Sequence, residues 1–131
     1  MKISKILMAG ILSVSFASAN DIMKESMKIM QAGIEQVQAG FIHNSEDAVR
    51  AGIVEVARGN NMFSEAKVIS KYLPDNKKHM VNVASNAAKR IALDANIIEL
   101  NIDDKAYTKA AEGYSDMLNA CARCHGIVRS W

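Results

Sequence analysis

Residues 21–41 read DIMKESMKIMQAGIEQVQAGF, and the apolar members of this run, Met23, Met27, Met30, Ile34, Val37 and Phe41, recur at steps of four and three. That spacing draws one stripe down an α-helix and does not match the alternation of a half-buried strand. The same period continues outward along the chain. Asn44 and Ser45 predict a turn and an N-cap, with Glu46 and Asp47 complementing the helix dipole in the first turn. A second helix is expected over Glu46 to Arg58, with Val49, Ile53 and Val56 inward, ended by Gly59-Asn60-Asn61. A shorter piece, Phe63 to Tyr72, must stop at Leu73-Pro74, because a residue before proline is pushed out of the α region. A third long helix, Lys77 to Leu100, keeps Met80, Ala84, Ala87, Ile91, Ala95 and Ile98 in phase. Asn101 to Asp104 predicts a break. A last helix, near Asp104 to Ser130, then sets Tyr107, Tyr114, Cys121 and Cys124 on one side, with Ala110 or Ala111 and Met117 or Leu118 between them.

Four amphipathic helices with modest connections predict an all-α fold, an antiparallel four-helix bundle. Half of the 131 residues are hydrophobic and 23% are charged, which excludes a disordered or fibrous chain. One proline and seven glycines are too little punctuation for a sandwich or barrel of short strands. No internal repeat, low-complexity tract or linker interrupts the pattern, so one domain is expected over residues 20–131.

The first nineteen residues stand apart. Lys2 and Lys5 form a basic start, Ile6 to Phe16 is almost wholly apolar, and Ala17-Ser18-Ala19 is a small-x-small cleavage site. This predicts an export signal cleaved after Ala19 and a periplasmic mature chain. The apolar run is well short of the roughly 20 residues that cross a bilayer, so stable membrane insertion is not expected. Removing nineteen residues from 131 leaves 112, and takes two of the sixteen basic residues and none of the fourteen acidic ones. The mature chain is therefore neutral with His uncharged. No basic stripe interleaved with aromatics remains, so a nucleic-acid partner is not expected.

The chemistry concentrates in Cys121-Ala122-Arg123-Cys124-His125, the C-x-x-C-H pattern through which haem c is attached covalently. Two thiols three apart on a helix lie on nearby faces and can meet the two vinyl groups on one side of a porphyrin. His125, next in sequence, can turn its imidazole under the iron as the proximal ligand. Covalent tethering retains the haem in a chain too small to enclose it. Two other readings of the cysteine pair exist. A thiol–disulfide couple usually opens a helix after a strand, whereas this pair closes one. A zinc site needs a fourth ligand, and the spare histidines His43 and His79 repeat no ligand spacing.

With four helices, an export signal and this motif near the end of the last helix, the mature chain resembles the cytochrome c-prime family and its low-spin relatives. Arg129, four residues after His125, matches the basic residue that the family often places near the proximal histidine. Where the family commonly has an aromatic before that arginine, this chain has Val128, with Trp131 available to compensate. The segment N-A-A-K-R-I and the ending C-H-G-I-V-R-S-W are similar to exported cytochromes of the epsilon group of proteobacteria.

The resemblance implies that function turns on the far side of the iron. In high-spin members an apolar residue of the first helix faces a five-coordinate iron, which binds nitric oxide or carbon monoxide. In low-spin members a methionine of that helix completes the coordination and the protein carries electrons. Here Met23, Met27 and Met30 share one face, and Met27, at mid-helix, is the expected distal ligand, Met23 the next choice, with Met30 lining the haem edge. The expected function is single-electron transfer through Fe(III)/Fe(II) haem, with periplasmic or membrane-bound redox proteins as partners and a homodimer through the first two helices as the family's habit. The alternative is a five-coordinate haem that binds or scavenges nitric oxide. A peroxide or nitrogen-oxide reductase lacks a distal His or Arg in the first helix, and no nucleophile, acid–base pair or phosphate loop predicts an enzyme. Tyr107 and Tyr114 are expected in packing roles, and Lys77-Lys78-His79 as a solvated basic turn.

Overall fold

A computed structural model describes residues 19–129 of the chain. The segment expected to be an export signal, up to residue 18, and residues 130–131, Trp131 among them, lie outside the described residues. Among the described residues five α-helices follow in order: α1 Ala19–Ile42, α2 Glu46–Phe63, the single turn α3 Ala66–Ile69, α4 Val81–Asp103 and α5 Tyr107–Val128. A 3₁₀-helix, Asp75–Met80, leads into α4. Among the described residues there is no strand, and no helix is long and apolar enough to cross a membrane.

The first turn forms as its residues dictate. Ser45 is extended at φ −115° and its hydroxyl accepts from the Ala48 amide at 3.2 Å, capping α2. Asn44 takes the left-handed conformation (φ 55°) that asparagine tolerates. The end of α2 departs from expectation. Gly59-Asn60-Asn61 does not stop the helix, which runs on to Phe63. Gly59 is instead a contact residue. A Cβ there would come within 2.6 Å of Met30 Cγ and 2.8 Å of the Ser26 carbonyl oxygen. Asn60 is buried, and its side chain donates to the Ala88 carbonyl at 3.0 Å, tying α2 to α4.

The remaining boundaries shift in the same way. The piece expected over Phe63 to Tyr72 contracts to one turn, Ala66–Ile69, and ends before Leu73-Pro74. Residues from Asp75 to Met80 wind as 3₁₀, so the regular third long helix starts at Val81 rather than Lys77. It then passes through Asn101 to Asp103, because the Asn101 amide bonds back to the Ile97 carbonyl at 2.8 Å inside the helix. The break falls at residues 104–106, where Lys105 adopts φ 58°.

Helix α1 packs on α2, α4 on α5, and α2 on α4. Along the first pair Ser26 meets Gly59, Gly33 meets Gly52 and Val56, and Gly40 meets Val49. The backbones approach so closely that a Cβ on Gly33 would sit 2.7 Å from the Gly52 carbonyl oxygen. Buried side chains form two clusters. One gathers Val37, Val49, Ile53, Val56, Ile91, Ile98, Ile102 and Met117; the other gathers Phe63, Ile69, Leu73, Ala84, Ala87, Ala88, Cys124 and Ile127. Met27 packs against the second and Cys121 against the first.

Candidate functional site

Helix α5 keeps its period through Met117, Ala120, Cys124 and Ile127, all buried, which turns Cys121, Cys124 and His125 toward the other helices and leaves Ala122 and Arg123 exposed. Its last turn is held at both ends of the backbone ladder. The Arg129 amide donates to the His125 carbonyl at 2.9 Å, and Lys77 of the 3₁₀-helix donates through Nζ to the Gly126 carbonyl at 3.1 Å. A cation there also complements the negative end of the helix dipole. Lys77 thus has a docking role that its basic neighbours, the exposed Lys78 and His79, lack.

Cys121, Cys124 and His125 open into one cleft of about 330 Å³. Met27, Met30, Gln31 and Ile34 of α1 line it, with Asn60 and Phe63 of α2, Ala88 and Ile91 of α4, and Leu118 and Arg129 from the C-terminal part of the chain. Its volume lies in the lower part of the range for small-molecule and cofactor pockets. The cleft draws on both core clusters, so it forms a break in the packing where the two meet. Met23 packs against the second cluster but does not line the cleft.

Burial sets the protonation of these groups. The Cys121 thiol is pushed up to about 11, chiefly by burial, then by the neighbouring Cys124 and by the charge of Asp94. Burial raises Cys124 as well. His125 is lowered by burial first and by the Arg129 charge second, which favours the neutral imidazole, the form that ligates metals. The cysteines are not joined to each other. A thiol–disulfide couple works through a thiolate whose pKa is depressed, commonly at a helix N-terminus. Here both thiols are shifted upward and sit near a helix C-terminus, the wrong end for a thiolate. Among the described residues no three His, Cys, Asp or Glu side chains stand together as a metal site, and His43 and His79 are exposed.

The donor set fits a covalently tethered haem. Two neutral thiols share a face of one helix, a neutral imidazole follows directly, and the cleft they enter is walled by apolar side chains with the Met27 thioether among them. A larger, polar groove of about 780 Å³ between α4 and α5, lined by Asn86, Arg90, Asp116, Asn119 and Arg123 among others, holds none of the residues expected to bind the haem or its iron. No protein-family model, curated protein or solved structure matches the chain.

Of the sequence-predicted residues, Cys121, Cys124, His125, Arg129, Met27 and Met30 come together, and Met23 stays outside. The tyrosines lie elsewhere. Tyr107 donates to Glu46 at 2.6 Å, and Tyr114 packs against Phe41 with ring centroids 6.0 Å apart. Asn60 and Phe63 were not anticipated in the site. The step of four from Val56 to Asn60 and three to Phe63 carried the signal, masked by the glycine beside it.

Proposed function

We propose that this chain is a periplasmic monohaem c-type cytochrome, an antiparallel four-helix bundle that passes single electrons between redox proteins of the periplasm or the membrane. The observation that carries the proposal is the convergence of Cys121, Cys124 and His125 on one apolar cleft that Met27 also lines. The contact order along α1 and α2, in which Ser26, Gly33 and Gly40 meet Gly59, Gly52 and Val49, supports the antiparallel arrangement.

When bound, the haem supplies one-electron exchange between Fe(III) and Fe(II). The residues of the chain do the rest. The Cys121 and Cys124 thiols would hold the haem as two thioethers, each sulfur and its hydrogen adding across one vinyl group with no oxidant needed. The neutral imidazole of His125 would ligate the iron, and Met27 would offer it a thioether from α1, a ligand type that raises the reduction potential. Ile34, Phe63, Ala88 and Ile91 keep water from the macrocycle. Arg129 places a cation at the mouth.

Export of the full chain in a bacterium that makes haem c, followed by a haem stain of a denaturing gel, tests this directly. The wild type is expected to keep its haem under denaturation, and the double variant Cys121→Ser, Cys124→Ser to lose it. A helical, exported wild type with no covalent haem overturns the proposal.

A further inference from the structure

Asp94 lies in α4 one turn beyond Ile91, which lines the cleft, and its side chain is 0% exposed. Arg90 Nε sits 2.8 Å from Oδ1 as its ion partner, and no other donor reaches either carboxylate oxygen among the described residues. Arg90 is itself 45% exposed and is shared with Asp116, whose Oδ2 is 2.9 Å from the other arm of the guanidinium. The cluster therefore holds two carboxylates and one cation. The cation and the outer carboxylate face solvent, which screens them, while Asp94 faces the interior, where a charge acts at long reach. A buried carboxylate costs more than a single half-exposed partner returns, and an apolar residue of similar volume would serve packing better. Asp94 is also the last and smallest of the influences that raise the thiol of Cys121, the residue proposed to carry the porphyrin.

We infer that Asp94 is an electrostatic positioning residue for the redox centre, a buried negative charge beside the haem-bearing face of α5 that favours Fe(III) and so holds the reduction potential down. This inference rests on the haem reading of the cleft. It makes Asp94 a counterweight to Met27 and Arg129, which act in the opposite direction: a thioether ligand and a cation both favour Fe(II).

Spectroelectrochemical titration of the exported holoprotein tests it, comparing wild type with Asp94→Asn, Asp94→Leu and the outer-carboxylate control Asp116→Asn. Both Asp94 variants are expected to shift the Fe(III)/Fe(II) equilibrium about tenfold toward Fe(II), ~59 mV upward for one electron, with visible spectra unchanged, while Asp116→Asn moves it less than twofold. Asp94→Leu keeps the test open if the asparagine variant does not accumulate, since an apolar replacement of a buried ion is well tolerated. An unmoved potential in a haem-loaded Asp94 variant overturns the inference and leaves the haem reading standing. A rise that comes only with a changed spectrum also overturns it, because the iron ligands have then moved. A wild type without covalent haem overturns the haem reading, and this inference with it.

Discussion

On the proposed haem reading, the choice between electron transfer and gas binding comes down to one side chain. Met27 and Met30 both line the cleft, but they are not equivalent: Met30 is 9% exposed and packs under Gly59, whereas Met27 is half-buried and sits on the rim of the second core cluster. A side chain locked into a helix contact is a packing residue, and one at the cleft wall is free to ligate. Met27→Ala is therefore expected to turn a low-spin ferric spectrum high-spin, erase the methionine band near the red edge and let the ferrous form take up carbon monoxide. Met30→Ala is expected to keep the low-spin spectrum while losing about 2 kcal/mol or more of stability through the cavity it leaves. Wild-type protein that is already high-spin, with Met27→Ala spectrally silent, would favour the gas-binding alternative.

At the scale of elements, α1 and α2 are joined by proximity rather than by large side chains. A Cβ at Gly33 would meet two backbone atoms and Val56 Cγ2 within 2.8 Å, and backbone cannot step aside. At Gly113, on α5, the nearest atoms are Ile98 Cγ1 at 3.1 Å and Ile97 Cγ2 at 3.4 Å, both on side chains that can give. Gly33→Ala is expected to cost about 1–3 kcal/mol or more despite the helix propensity it gains. Gly113→Ala should fall within about 1 kcal/mol of wild type, because the propensity gain offsets the crowding. Urea midpoints at constant slope measure both, and equal effects at the two sites would contradict the close approach of α1 and α2. The same glycines explain what could be read from the chain. Helix existence follows from the three- and four-residue steps, but the inward faces follow only in part: the buried line of α1 runs through Ser26, Ile29, Met30, Gly33, Val37 and Gly40 and leaves Met23, Met27, Ile34 and Phe41 half-buried, and Tyr107 is exposed. The end of α2 does not, since Gly59 is a terminator by local rule and a contact by tertiary fact. Asn101 misleads likewise, its side chain bonding back within α4 instead of opening a turn. In the site, the C-x-x-C-H run is legible because its chemistry is local, whereas Asn60 and Phe63 reach the cleft only through a helix longer than its sequence announces.

The molecule as a whole divides its labour between two ends. The cleft occupies the region where α5 terminates. At the other end the turn before α2 is fastened to the turn before α5: Lys105 Nζ lies 2.8 Å from both oxygens of Glu46, Tyr107 donates to Oε1, and Arg50 pairs with Asp103 at 2.6 Å. Lys105 reaches Glu46 from a left-handed backbone conformation that a lysine adopts only at a cost. The bonds from Lys105 first, and from Tyr107 second, hold the Glu46 carboxyl below its ordinary value of 4.5. A carboxylate lowered in the folded state adds stability above its unfolded value, and that stability is lost as pH falls through the folded one. The wild-type urea midpoint is thus expected to drop as the pH falls below 4.5, and the drop to be smaller in Glu46→Gln, whose amide does not titrate. Because Glu46 sits at the end remote from the cleft, the same substitution should leave the haem spectrum at neutral pH unchanged. A spectrum that shifted with Glu46→Gln would mean that the two ends are mechanically coupled, and an undiminished acid drop would mean that the clasp contributes nothing to holding the turns together.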